Sequence, residues 1–277
     1  MIERCREAFP VSMMCRSLKV SSSGYYDWRS RKPSERQQAN SRLLREIRAI
    51  HTESDGVFGS PRIWEELVYQ GQVCSVNRVA RLMQQADLAG IPSSKQWRRR
   101  KSSQRPDGIV NHLDRDFTAA EPDTKWVTDI TYIPTGEGWL YLAVIIDLHT
   151  SLVIGWSMSH RMEKQLVIQA VLMALWQRES RQPVILHSDR GCQFTSDEYQ
   201  RLLKGHNLTC SMSGVGNCAD NAACEGFFGM LKRERVNRRR YQSHADARAD
   251  IFDYIECFYN PRRHRKMEAL KPKESNL

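Results

Sequence analysis

Residues 125–147 read KWVTDITYIPTGEGWLYLAVIID, and this stretch decides the fold. From Lys125 to Pro134 and again from Trp139 to Asp147 the chain is rich in β-branched and aromatic residues, and Gly136 and Gly138 stand between the two runs. That pattern predicts two strands joined by a turn. Leu152 to Met158 predicts a third strand. Met162 to Arg178 is apolar over most of a helical circumference and predicts a packed helix, and Val184-Ile185-Leu186 a short buried strand after Pro183. Three strands, a helix and a further strand make a mixed α/β layer.

Working outward, charge divides the chain into three blocks. Residues 1–110 carry 20 Lys or Arg against 11 Asp or Glu, residues 111–230 carry 9 against 14, and residues 231–277 carry 13 against 7. The total is +10 over 277 residues, a balance that favours a polyanionic partner, nucleic acid first. Basic flanks suit a phosphate backbone, while an acidic middle suits carboxylates gathered for metal chemistry; solvated faces distributed this way are the plainer explanation. The longest apolar runs, such as Leu140–Ile146, fall far short of the ~20 residues of a membrane-spanning helix. The opening MIERCREAFP has no signal-peptide core, so a cytoplasmic protein is expected rather than a membrane or secreted one. The eight cysteines are expected to be reduced thiols, and their spacing does not suit a structural zinc site.

In the basic N-terminal block, Ser60 reads as a helix cap before Pro61 in the first turn, and a helical pattern (Ile63, Trp64, Leu67, Val68) runs to Gly71. A second pattern starts at Ser75, with Val76, Val79, Leu82 and Met83 on one side and Arg78, Arg81 and Gln84 on the other. Together with Leu43, Leu44, Ile47 and Ile50 these predict a three-helix unit over 39–94. Its last two helices read either as a helix-turn-helix, with Arg78 and Arg81 facing DNA, or as an ordinary helical hairpin. Residues 1–38 predict a further helical, helix-turn-helix-like segment. Residues 95–122 predict a basic linker whose Arg98, Arg99 and Arg100 can lie along phosphates. Near the end, Ala245–Tyr259 predicts a helix stopped by Asn260-Pro261, followed by a basic run in which Arg262 and Arg263 suit backbone contact.

Chemistry concentrates in the acidic block. Asp129 lies inside the first strand, where an ionised carboxylate is costly unless it is paired or binds a metal. Asp189 lies where the fourth strand ends, and two aspartates on neighbouring strands can share a cation. On a helix over Asn217–Val236, Asn221, Glu225 and Lys232 fall on one flank, with Ala223, Phe227 and Leu231 opposite. Singly, each of these residues is more often a turn, capping or solvated group. Asp147 reads as a turn or supporting residue, and His187 as a packed histidine.

The segments WVTDITY around Asp129, LHSDRGCQFTS around Asp189 and DNAACEGFFGMLKRE around Glu225 resemble the three catalytic blocks of the DDE transposases of the IS-three insertion-sequence family. Thirty-five residues separate Asp189 from Glu225, the spacing of the DD-35-E pattern shared with retroviral integrases. VSMMCRSLKVSSSGYYDW, GSPRIWEELVYQGQVCSVNRVARLM and FYNPRRHRKMEALKP are similar to the family's second reading-frame product, although Lys271-Pro272-Lys273 stands where the family has Ser-Pro and an aromatic.

The resemblance implies a ribonuclease H-like catalytic domain over 123–277, preceded by helix-turn-helix segments. It implies that Asp129, Asp189 and Glu225 hold two Mg²⁺, replaceable by Mn²⁺, and that DNA ends are cut and joined through a 3′ hydroxyl. Lys232 is expected to steady a phosphate and Asn221 to orient Glu225 or touch DNA. Double-stranded DNA, further copies of the chain and an upstream reading-frame product, in some cases fused by frameshift, are the implied partners. A non-catalytic DNA-binding regulator and a nuclease without joining activity are the alternatives.

Overall fold

The computed structural model describes residues 2–92, 118–178, 182–189, 191, 193–212 and 222–270. The described chain forms two units that divide after Gly90. The first is entirely helical: α1 (Ile2–Cys5), α2 (Val11–Ser17), α3 (Ser22–Ser30), α4 (Glu35–Glu53), α5 (Ser60–Tyr69) and α6 (Val76–Gln85). Ser34 caps α4 in a reciprocal capping box with Gln37, which satisfies two donors that a helix start leaves open. Leu43, Ile47 and Ile50 of α4 are buried, as are Ile63 and Leu67 of α5 and Val79, Leu82 and Met83 of α6. The Trp64 indole donates to the Cys74 carbonyl at 2.8 Å and ties the α5–α6 connection. The cap of α5 departs from the sequence reading, because Gly59 is the N-cap and Ser60 already lies within the helix. A Cβ on Gly90 would lie 2.2 Å from the Gly59 nitrogen, so the two glycines let the chain cross itself at this point.

The second unit is built on a five-stranded sheet. Its strands are β1 (Lys125–Thr135), β2 (Gly138–Asp147), β3 (Val153–Ser159), β4 (Val184–Ser188) and β5 (Leu208–Met212), in the order β3-β2-β1-β4-β5. The pairs β1–β2 and β2–β3 are antiparallel, and β1–β4 and β4–β5 are parallel. Interleaved are α7 (Lys164–Gln177), α8 (Asp197–Gly205), α9 (Ala222–Glu234), α10 (His244–Phe252) and α11 (Asn260–Leu270). Trp126, Ala143 and Ile145 enter one core with Leu166, Ala170 and Val171 of α7 and Tyr199 and Leu203 of α8. By strand alternation Val127, Asp129, Leu142 and Val144 face the opposite side, and α9 packs there against β1 and β2. Gly155 lets β3 approach α7, since a Cβ there would lie 2.3 Å from the Ala170 carbonyl oxygen.

Two features correct the sequence reading. Strand β5 was not foreseen. Asn260-Pro261 does not stop the last helix: Asp253–Tyr259 forms a π-helical stretch and α11 follows directly. Proline needs no N–H partner in a first helical turn. The Asn260 amide, with Oδ1 accepting from Val153 N–H at 3.0 Å and Nδ2 donating to Val153 O at 2.9 Å, anchors that junction to β3.

A buried polar network joins α9 to α10. Arg235 reaches Asp250 at 3.3 Å and Asp253 at 3.1 Å, Arg239 also pairs with Asp250, and the Tyr241 hydroxyl donates to Asp250 at 2.7 Å. The Tyr254 hydroxyl donates to buried Glu234 at 2.9 Å.

Candidate active site

Asp129 stands in the middle of β1 because the strand continues past its partner. β4 ends at Ser188, and the register that sets Val127 opposite His187 carries Asp129 level with Asp189. Asp129 therefore lies on β1 and Asp189 one residue past the end of the adjacent parallel strand β4, where the sheet opens. Asp129 Oδ1 accepts the Ile130 N–H at 2.7 Å, and Asp189 Oδ1 accepts the Gly191 N–H at 3.0 Å. Glu225 lies in the first turn of α9, and Lys232 two turns further along.

The electrostatics bring these groups together. Burial pushes the Asp129 carboxyl up to about 7; the Ile130 N–H opposes this, the charges of Asp189 and Glu225 add to it, and Lys232 opposes it. Burial also raises Glu225. It lowers Lys232, against the attraction of Asp129. The Cys224 thiol is fully buried, and burial followed by the fields of Asp129, Glu225 and Asp189 holds it neutral. Among the described residues no three Asp, Glu, His or Cys side chains converge tightly enough to chelate an ion as they stand. The charges of Asp189 and Glu225 act against ionisation of Asp129, and an all-oxygen set of this kind is the donor chemistry that suits a hard divalent ion.

The remaining sequence-derived residues fall in several places. The Lys232 ammonium sits over the Tyr132 ring at 4.7 Å from its centroid, a neighbour the sequence reading passed over. Asn221, Arg98, Arg99 and Arg100 lie outside the described residues. Arg78 donates to Asn40 of α4 at 2.9 Å, and Arg81 is exposed on α6. Arg262 lies over its own Phe258 ring at 3.9 Å and donates to the Phe258 carbonyl, and Arg263 lies over Tyr259 at 5.2 Å. The buried stripe of α9 is Cys224, Phe227, Phe228, Leu231 and Glu234, with Ala223 only half-buried, which rotates the helix slightly from the face expected. His187 is fully buried with Nδ1 2.9 Å from the Ser211 hydroxyl. Asp147 closes a turn, accepting from Thr150 N–H at 2.7 Å and Asp123 N–H at 2.9 Å.

A mixed sheet in this order, flanked by helices and with acids on its central parallel pair, is that of an integrase core. Residues 119–218 and 225–275 match families described as "Integrase core domain", and residues 38–100 match an "HTH-like domain". The chain is 43% identical, over 99% of its own length and 96% of the relative's, to "Transposase InsF for insertion sequence IS3A" of Escherichia coli strain K12. It is 37% identical, over 94% and 96%, to "Insertion element IS600 uncharacterized 31 kDa protein" of Shigella sonnei. The chain belongs to the IS-three family of insertion-sequence transposases. Among solved structures it is similar to the HTLV-2 integrase catalytic core domain in complex with magnesium, at 21% identity and a TM-score of 0.35 over 41% of this chain and 70% of that one. It is also similar to a chain of the simian T-cell lymphotropic virus intasome, at 14% identity and a TM-score of 0.41 over 75% and 67%.

Proposed function

We propose that this protein catalyses DNA transposition as a DDE polynucleotidyl transferase, with Asp129, Asp189 and Glu225 as its catalytic carboxylates. The observation that carries this reading is geometric: the parallel register sets Asp129 of β1 level with Asp189 just past the end of β4, and Glu225 lies in the first turn of α9, the helix that packs on β1. Those three side chains would hold two Mg²⁺, or Mn²⁺ in their place. The bound ions supply Lewis-acid polarisation of the phosphodiester and make an attacking oxygen more acidic.

The chain's own residues hold the geometry. β1 and β4 fix the two aspartates on rigid, adjacent backbones, and the neutral Cys224 thiol adds no charge beneath them. Lys232 holds a DNA phosphate beside Asp129. In the first step water forms a bond to phosphorus as the P–O3′ bond breaks, leaving a 3′ hydroxyl. In the second that oxygen bonds to a target phosphorus and the target's 3′ oxygen leaves. No covalent protein link is needed, because each step is a direct in-line displacement.

The assignment divides the chain into helical segment 1–38, DNA-binding domain 39–94, linker 95–122 and catalytic domain 123–277. Double-stranded DNA at insertion-sequence ends and at the target is the substrate, read by the helical unit and held by basic side chains that include Arg78, Arg81, Arg98, Arg99, Arg100, Arg262 and Arg263, while Asn221 orients Glu225 or touches DNA. The protein works as a multimer with the upstream reading-frame product, on the bacterial nucleoid in the cytoplasm. No helix among the described residues is long and apolar enough to cross a membrane. A plasmid carrying a marker between two insertion-sequence ends tests this reading: with this chain and its upstream partner, Mg²⁺ supports excision and reinsertion, and chelation abolishes both. Persistent failure of excision with tight end binding would make the protein a regulator; cut ends with no reinsertion would make it a nuclease.

A further inference from the structure

The β1–β2 hairpin ends in two aromatic side chains that the core does not use. Tyr132 and Trp139 are 55% and 51% exposed, and their rings meet edge to face with centroids 5.0 Å apart. Single exposed aromatics are unremarkable, but this pair has two further properties. It carries the Lys232 ammonium over Tyr132, and the same ammonium acts on the charge of Asp129, so Lys232 links the pair to the acidic site although Tyr132, three residues along β1, faces the other side of the strand.

The pair also stands on a rigid base. Gly136 N–H donates to the Tyr241 carbonyl at 2.9 Å, Thr135 Oγ1 to the Gly138 carbonyl at 2.7 Å, and His244 N–H to the Glu137 carboxylate at 2.6 Å. A Cβ on Gly136 would lie 2.5 Å from the Gln242 carbonyl oxygen, so the turn is seated directly on the segment before α10. An aromatic pair held this firmly beside an ammonium matches one ligand chemistry: a flat π-system attached to a phosphate.

We propose that Tyr132 and Trp139 form a stacking platform for one unpaired nucleobase of the DNA end, within about three nucleotides of the cut phosphodiester, while Lys232 takes the adjoining phosphate. This rests on the transposase reading above and adds to it a requirement for local unstacking of the duplex. Stacking is sequence-tolerant, because every base has a π-face, so the platform positions the strand without specifying the end sequence. Trp139 and Tyr132 are positioning residues.

A cycle between protein and DNA substitutions tests the platform with the full-length chain, its upstream partner and Mg²⁺ present. Trp139→Ala and Trp139→Phe are compared with wild type on end DNA in which single bases, three to either side of the cut, are replaced in turn by abasic sites. Trp139→Ala slows cleavage at least about fivefold on intact DNA, and Trp139→Phe recovers most of the rate. At one position the abasic substrate slows wild type similarly, and combining it with Trp139→Ala adds little further loss. Losses that multiply at every position, or a Trp139→Ala protein that cuts at the wild-type rate, would overturn the platform while leaving the transposase reading intact. A wild-type protein that leaves intact ends uncut under all conditions would remove both.

Discussion

Asp129 is placed where burial opposes its ionisation. Its carboxyl moves from an ordinary value of 3.8 to about 7, mainly through burial. Between those values the folded state keeps a proton that the unfolded chain has lost, so stability falls as pH rises through that window and stays lower above it. The full shift corresponds to ~4 kcal/mol, and water at the partly open carboxyl reduces this to about 2. Asp129→Asn should therefore raise the melting temperature at pH 8 by several degrees and change it little at pH 4, while abolishing DNA cleavage. Saturating Mg²⁺ should stabilise wild type and not the variant. Thermal melts at both pH values check this, and a variant less stable at pH 8 without metal would contradict it. Asp129 could be singled out from sequence because a charge interrupts a β-branched run. Tyr132 could not, since alternation assigns a strand residue to a face but says nothing of a lysine arriving from a helix one hundred residues later.

At the scale of elements, α9 and α10 are locked by Asp250, and the two carboxylates that meet Arg235 should differ sharply. Asp250 is 8% exposed and shared by Arg235, Arg239 and Tyr241, whereas Asp253 is 52% exposed and meets Arg235 at the rim. Asp250→Ala leaves the buried Arg235 guanidinium only the rim carboxylate of Asp253 and takes the acceptor from the Tyr241 hydroxyl, and should cost about 3–5 kcal/mol. Asp253→Ala should cost under about 1 kcal/mol. Chemical denaturation of both variants checks the contrast, and equal losses would refute it. A second close contact behaves similarly: Gly155→Ala drives a methyl into the Ala170 backbone of α7 and should cost about 1–3 kcal/mol by the same measurement. Strands β1 to β4 and helix α7 were readable because their apolar periods are long or unbroken. β5, LTCSM, is five residues bounded by polar segments and too short for its alternation to stand out. Pro261 misled because a proline is both a helix breaker and a good first-turn residue, and only the π-helical stretch before it and the Asn260 anchor decide which role it takes.

Over the whole molecule, a helical unit with an HTH-like match is followed by a mixed α/β unit with an integrase-core match, and the proposed function assigns DNA binding to the first and chemistry to the second. Binding should follow phosphate contacts and weaken steeply with salt, whereas loss of a carboxylate should leave it nearly unchanged. The helical and mixed α/β classes were both legible from period alone. How the basic side chains are shared between DNA and the protein's own rings was not legible: Arg262 and Arg263 lie in a run of charges, yet both stack on aromatic residues four positions earlier. The most direct test uses labelled insertion-sequence end DNA with Mg²⁺ and the upstream partner, comparing wild type with Asp189→Ala for binding, nicking and joined products. The account predicts that the variant binds the end within a fewfold of wild type and yields neither nicked nor joined DNA. Nicking and joining by Asp189→Ala at the wild-type rate would contradict it.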